Sequence, residues 1–154
     1  MKKIDASQID ALIQLLAMAG IIGSLIFVGL EMRQSQRIAI AAQIQARSNT
    51  MVEALATYTE AGIDWSPTLF GGEIALSKEE IAGNNVYHAQ WFLFESDFFQ
   101  YSMGLMTQPV WEAKLVMIGR LVDQCDRRNI LETRLQSLEK EFRDVILSRE
   151  DNCK

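Results

Sequence analysis

The sequence is poor in the residues that most often build catalytic and metal centres. Its 154 residues include one histidine, two cysteines and two prolines. A single histidine, His88, cannot supply the two Glu-x-x-His pairs of a di-iron helical bundle. The chain also has no phosphate-binding glycine loop, no G-x-S-x-G and no H-E-x-x-H. We therefore predict no catalytic residue, no metal site and no cofactor, and we interpret His88 as a polar flank beside an apolar helical face.

The two cysteines, Cys125 and Cys153, form no CxxC motif. Their number and spacing predict neither a disulfide framework nor a zinc site. Cys125 falls on an apolar helical stripe, where a buried inert thiol is the usual case. Cys153 is expected to be an exposed thiol.

Charge is distributed unevenly along the chain. Residues 1–61 hold five acids and five bases, whereas residues 62–154 hold fifteen acids and ten bases, which accounts for the whole net charge of −5. A segment with this excess of acids repels phosphate backbones, so nucleic-acid binding is not expected.

No segment alternates apolar and polar residues as a half-buried strand does. The predicted fold is all-α: an N-terminal transmembrane helix continues into a long helix, which packs with a small antiparallel helical bundle. The predicted divisions are a tail over 1–10, the transmembrane helix over 11–30, a juxtamembrane helix over 31–61, a loop over 62–76, the bundle over 77–148 and a tail over 149–154.

The membrane prediction depends on the run from Ala11 to Leu30. It contains 20 residues, of which only Gln14 and Ser24 have polar side chains. About 20 apolar residues in a helix cover the ~30 Å hydrocarbon core of a bilayer. A buried core helix is the alternative, but so short a chain has difficulty covering a helix that is apolar on every face. The run is also longer than a secretory signal core of ~7–15 residues and precedes no small-x-small cleavage site.

The charged residues on either side of the apolar run differ little in number, so they indicate the orientation of the span only weakly. Arg33, Arg37 and Arg47 follow the apolar run, and no acid lies between Glu31 and Glu53. This basic collar suits an anionic cytoplasmic leaflet, which favours a cytoplasmic body. Lys2 and Lys3 precede the run, however, and an uncleaved signal anchor would place the body outside.

Small residues four apart mark one face of the apolar helix: Ala19 with Gly23, and Gly20 with Ser24. Such spacing allows close approach of helix backbones in lipid. Chance is the alternative, because glycine and alanine are common in spanning helices. We predict helix association through this face.

Two periodic stripes follow. Residues 41–58 repeat at heptad spacing through Ala41, Ile44, Ser48, Met51, Leu55 and Tyr58. We expect this seam to pack either between chains or against the chain's own aromatic helix. That helix begins at a capping box, Ser77 with Glu80, and carries a stripe of five aromatic residues: Tyr87, Trp91, Phe94, Phe98 and Tyr101. A packed core is the favoured interpretation and an aromatic ligand pocket the alternative.

The run "IIGSLIFVGLEMRQSQRIAIAAQIQA" resembles the opening of a widespread set of small bacterial proteins, which have an apolar helix ending in a run such as "SLIYVALQIRQN". The matching residues are Ser24, Leu25, Ile26, Val28, Leu30, Arg33 and Gln34, whereas Glu31 replaces the usual glutamine. The later segment "FFQYSMGLMTQPVWEAK" is similar to a recurring pattern of the same set, carried here by Phe98, Phe99, Tyr101, Gly104, Leu105, Trp111 and Glu112. The resemblance implies a membrane-anchored helical protein of the bacterial inner membrane and brings no activity.

These observations favour a non-enzymatic, single-pass membrane protein that acts in assembly. Its expected partners are the lipid bilayer and either itself or a larger membrane protein. A homo-oligomeric pore is the second hypothesis, although the span lacks the repeated polar stripe of a wet pore. An enzyme with a site in the helical bundle is the third.

Overall fold

The computed structural model describes residues 6–66, 75–150 and 152–153, and these contain five α-helices and no strand. The helices are α1 (Ala6–Glu60), α2 (Lys78–Ser102), α3 (Gln108–Val122), α4 (Arg128–Ser137) and α5 (Lys140–Leu147). A 3₁₀ turn, Cys125–Arg127, separates α3 from α4. The all-α prediction is confirmed. Because α1 begins at Ala6, the end of the predicted 1–10 tail is helical.

Several sequence predictions fall outside the described residues. They concern Lys2 and Lys3, and positions 67–74 of the predicted loop 62–76.

The chain divides into two compact units, Met1–Ile40 and Ala41–Lys154. The described part of the first unit is a single helical segment. We call the second unit the body. It comprises the last twenty residues of α1 and all the remaining helices.

Local sequence signals define the ends of the long helices. Ser77 Oγ accepts a hydrogen bond from the Glu80 backbone N–H, and the Glu80 carboxylate accepts one from the Ser77 N–H. This is the predicted capping box. Gly62 and Gly104, which follow α1 and α2, both have positive φ. The paired bonds from Gly62 N to Thr59 O and from Ile63 N to Tyr58 O close the end of α1 in a Schellman motif.

The core of the body is built on α2 and closed by the three shorter helices. Its buried members are Tyr87, Trp91, Phe98, Trp111, Ile118, Leu121, Val122, Ile130, Leu131, Leu138, Phe142 and Ile146. The rings of Phe98 and Phe142 stack with centroids 5.0 Å apart, and Trp111 lies 5.9 Å from Phe98. Leu138, which has an extended backbone (ψ 149°), separates α4 from α5.

The prediction for the cysteines is wrong. Cys125 and Cys153 form a disulfide across 28 residues of sequence, with a Cα–Cα distance of 5.3 Å. Cys125 is exposed at the start of the 3₁₀ turn, not buried on a helical stripe, and Cys153 is half-buried, not exposed. Helices α4 and α5 reverse the direction of the chain, so that Cys153 returns to Cys125 just after α3. A second link lies beside the disulfide, where Asn152 Nδ2 donates to Asp123 Oδ1 over 2.9 Å.

Candidate functional surfaces of the anchor and the body

The other described residues leave the apolar segment of α1 uncovered along its whole length. Every large apolar side chain from Ile9 to Met32 is 47–68% exposed. Among the described helices, α1 alone is long and apolar enough to cross a membrane, and none of its most apolar window is buried. A signal sequence meets the same length criterion. A soluble core helix, in contrast, would be covered, because exposing so many large apolar side chains to water is unfavourable.

The predicted association face, Ala19, Gly20, Gly23 and Ser24, is exposed. A Cβ built on Gly20 or Gly23 meets no atom outside its own helix backbone within 4 Å, so both glycines present open backbone. The Ser24 hydroxyl donates to the Ile21 carbonyl over 2.9 Å. Ser24 therefore offers a small surface for packing rather than a donor to a partner helix.

The three arginines of the predicted basic collar are exposed, but they fall in different units. Arg33 and Arg37 belong to the first unit, whereas Arg47 belongs to the body and lines a cleft there. All three lie on the one helix α1, and their role as a basic collar beside a membrane stays a prediction.

The heptad seam packs inside its own chain. Leu55 is buried, while Ile44, Met51 and Tyr58 are half-buried. Polar bonds fix the seam to α2: Ser48 Oγ donates to the Phe92 carbonyl over 3.1 Å, and Gln45 Oε1 accepts from Ser96 Oγ and from Gln100 Nε2. Of the two arrangements left open by the sequence, the described contacts are those of the internal one.

The predicted aromatic stripe lies in the core of the body. Tyr87, Trp91 and Phe98 are buried, and Phe94 and Tyr101 pack against them half-buried. Tyr101 stacks on Trp111 with centroids 5.1 Å apart. The rings pack against one another, which is the arrangement of a core.

A polar layer joins the end of α1 to α2. Asn85 is buried and fully bonded: its Oδ1 accepts from the Trp65 N–H, and its Nδ2 donates to the Ile63 carbonyl and to Thr59 Oγ1. Asn84 Nδ2 donates to Asp64 Oδ2 over 2.8 Å. Sequence periodicity does not reveal these contacts, because the loop residues that make them lie about 20 positions away.

His88 belongs to this layer and is fully buried, so its interpretation as a polar flank is wrong. Its Nε2 lies 3.1 Å from Ser66 Oγ, and the Trp65 ring packs edge-on at 4.8 Å. Burial first, and then the charge of Arg134, lower the pKa of His88 to about 4. The imidazole is therefore neutral near pH 7.

A neutral histidine bonded to a serine raises the question of nucleophilic chemistry. A catalytic histidine needs a carboxylate or an equivalent group to orient its second nitrogen. His88 Nδ1 has no hydrogen-bond partner within the described residues. The nearby Asp64 uses its oxygens for Asn84 Nδ2 and the Ser66 N–H. Within the described residues the pair therefore has no third member of a triad, and its contacts fasten the loop after α1 onto α2.

Sequence reasoning also missed a buried charge. Arg134 on α4 is only 4% exposed, and its guanidinium lies over the Phe92 ring at 4.1 Å. Its Nη2 is 3.8 Å from Glu95 Oε2. Burial raises the pKa of Glu95 and lowers that of Arg134, and each opposite charge counters this effect. The signal was present in the sequence, since Arg134 occupies the same helical face as Leu131 and Leu138.

In comparisons with known proteins, the chain matches no protein-family model, no curated protein and no solved structure.

Proposed function

We propose that this protein is a single-pass membrane protein that acts in assembly, by associating with a second copy of itself through its anchor helix. The observation that carries the proposal is the apolar segment of α1, which the other described residues do not bury. Lipid covers most of such a surface. The open backbone at Gly20 and Gly23 supports a contact with another helix.

The disulfide bears on the side of the membrane that the body occupies. Disulfides persist in oxidising compartments and are rare where thiols are kept reduced. The Cys125–Cys153 bond therefore favours a body outside the cytoplasm, with Ala11–Leu30 acting as an uncleaved signal anchor. This orientation is opposite to the one favoured by the basic collar. We prefer it because a covalent cross-link is a stronger indicator than a difference of one or two charges. A bacterial inner membrane remains part of the proposal through the family resemblance.

The two other hypotheses receive less support. A pore built from the anchor helices would have only Gln14 and Ser24 as polar side chains in the span, and Ser24 bonds its own helix. An enzyme that uses Ser66 as a nucleophile would need a carboxylate to orient His88. Within the described residues, His88 Nδ1 has no such partner.

Cross-linking in membranes tests the association. Gly20→Leu adds bulk on the proposed contact face and should greatly reduce the cross-linked dimer. Gly29→Leu is the matched control, because nine steps of about 100° place Gly29 on the opposite face of the helix, and its surroundings are equally open. Equal dimer yields in the two variants would contradict the proposed face. Cross-links only to a different, larger protein would replace self-association by an accessory-subunit role.

A further inference from the structure

A cleft of about 600 Å³ lies in the body between the seam of α1 and the outer side of α2. Its apolar walls are Ile44, Met51, Phe92 and Phe99, and its charged groups are Arg47 and Glu95. Small-molecule sites typically occupy about 300–1,000 Å³ and combine apolar walls with a few polar groups. The size and the lining of this cleft fit that description.

A buried cation, Arg134, lies against two residues that line the cleft, Phe92 and Glu95. Arg134 Nε and Nη2 are buried and have no hydrogen-bond partner in the part of the chain that the structure describes. The 3.8 Å separation between Nη2 and Glu95 Oε2 is beyond hydrogen-bond length. Nε and Nη2 form one edge of the guanidinium, the edge that binds two oxygens of a carboxylate or phosphate in parallel. Leaving such donors buried and unmatched is unfavourable, and an anion with two oxygens would remove that cost.

We infer that the cleft binds an anionic amphiphile, whose carboxylate or phosphate group reaches the Arg134 edge while its apolar tail lies against Ile44, Met51, Phe92 and Phe99. Phe92 connects the two regions, because its ring lines the cleft and also stacks beneath the guanidinium. Arg47 and Arg134 together outweigh the single charge of Glu95, so the local balance favours an anion.

Glu95 stands between the open cleft and Arg134, since it lines the cleft and faces the guanidinium. The ligand anion takes the place of the Glu95 carboxylate, which turns toward the solvent on binding. Burial raises the pKa of Glu95, which makes its ionised form easier to displace. Removal of this carboxylate should therefore strengthen binding, whereas removal of the guanidinium should abolish it.

The test uses the full chain in lipid nanodiscs and a decanoic acid that carries a photoreactive diazirine, with labelled residues located by mass spectrometry. Labelling of the anchor helix reports partition of the probe into lipid and serves as an internal reference. The ratio of cleft to anchor labelling should fall at least about tenfold in Arg134→Met, since hydrogen bonds to charged groups contribute about 1.5–3 kcal/mol. It should rise in Glu95→Ala and stay unchanged in Arg120→Met, which removes an exposed arginine of α3.

Excess decanoate should compete with the probe, whereas decanol and decyltrimethylammonium should not. Decyl phosphate is compared with decanoate, and the stronger competitor shows whether the cleft prefers a phosphate or a carboxylate head group. Competition by the cationic amphiphile alone would show that Glu95, not Arg134, selects the ligand and would overturn the inference. If Arg134→Met does not fold, Glu95→Ala still decides: unchanged or weaker labelling of the cleft in that variant contradicts the displacement of Glu95.

Discussion

Opening the Cys125–Cys153 disulfide should lower the stability of the body by a calculable amount. The bond closes a loop across 28 residues, from the 3₁₀ turn through α4 and α5 to the turn at Asn152 and Cys153. Cross-linking a loop of this length lowers the conformational entropy of the unfolded chain by about 12 cal/mol/K, which corresponds to about 3–4 kcal/mol of stability near room temperature. Because a domain of this size has a total stability of only about 5–15 kcal/mol, the effect is large.

The assay is urea unfolding of the detergent-solubilised protein, followed by the helical signal in circular dichroism, with and without reductant. Cys125→Ser and Cys153→Ser should each lose about 3–4 kcal/mol relative to the oxidised protein, and reduction should not affect either variant further. The double variant should resemble each single one, because all three remove the same bond. Additive losses, or two thiols that react with an alkylating reagent in the unfolded but unreduced protein, would refute the pairing.

Three further predictions concern the anchor, the polar layer and the core. Ile22→Arg places a charge in the middle of the span at a cost of about 2.5–3.5 kcal/mol on insertion scales, so washed membranes should lose the protein; full solubility of the unmodified protein without detergent contradicts the anchor. The pKa of His88 falls from an ordinary 6.5 to about 4 on folding, so the unfolded chain takes up a proton that the native one does not. Stability should therefore decline by up to about 3 kcal/mol as the pH falls from about 6.5 to about 4, and comparison with His88→Gln isolates this contribution from that of Glu95. Phe142→Ala should cost about 3–5 kcal/mol in urea unfolding, because the ring is fully buried against Trp91, Phe98 and Trp111, whereas the half-buried Phe94 should cost less.

Features that depend on neighbouring residues were predicted well from the sequence. Ser77 with Glu80 marks the start of α2 because both bonding groups lie within one turn. The aromatic stripe of α2 indicates burial because helical spacing places all five rings on one face.

Features that depend on distant residues were not predicted. The disulfide requires α4 and α5 to turn the chain back onto the end of α3, and the spacing of Cys125 and Cys153 alone contains no sign of that turn. His88 and Asn85 are buried by the loop after α1, which lies about 20 residues earlier. Arg134 was overlooked because charged residues are rarely buried. His88 and Asn85 belong to the polar layer, and Arg134 belongs to the proposed ligand site, so the sequence predicted the helices better than the polar contacts between them.

The mass of the particle extracted in detergent tests the proposed assembly most directly. The account predicts a particle that contains at least two copies of the 17.4 kDa chain, that separates into single chains in Gly20→Leu and that remains assembled in Gly29→Leu. A particle that contains one chain alone, in the unmodified protein as in both variants, would contradict association through the anchor.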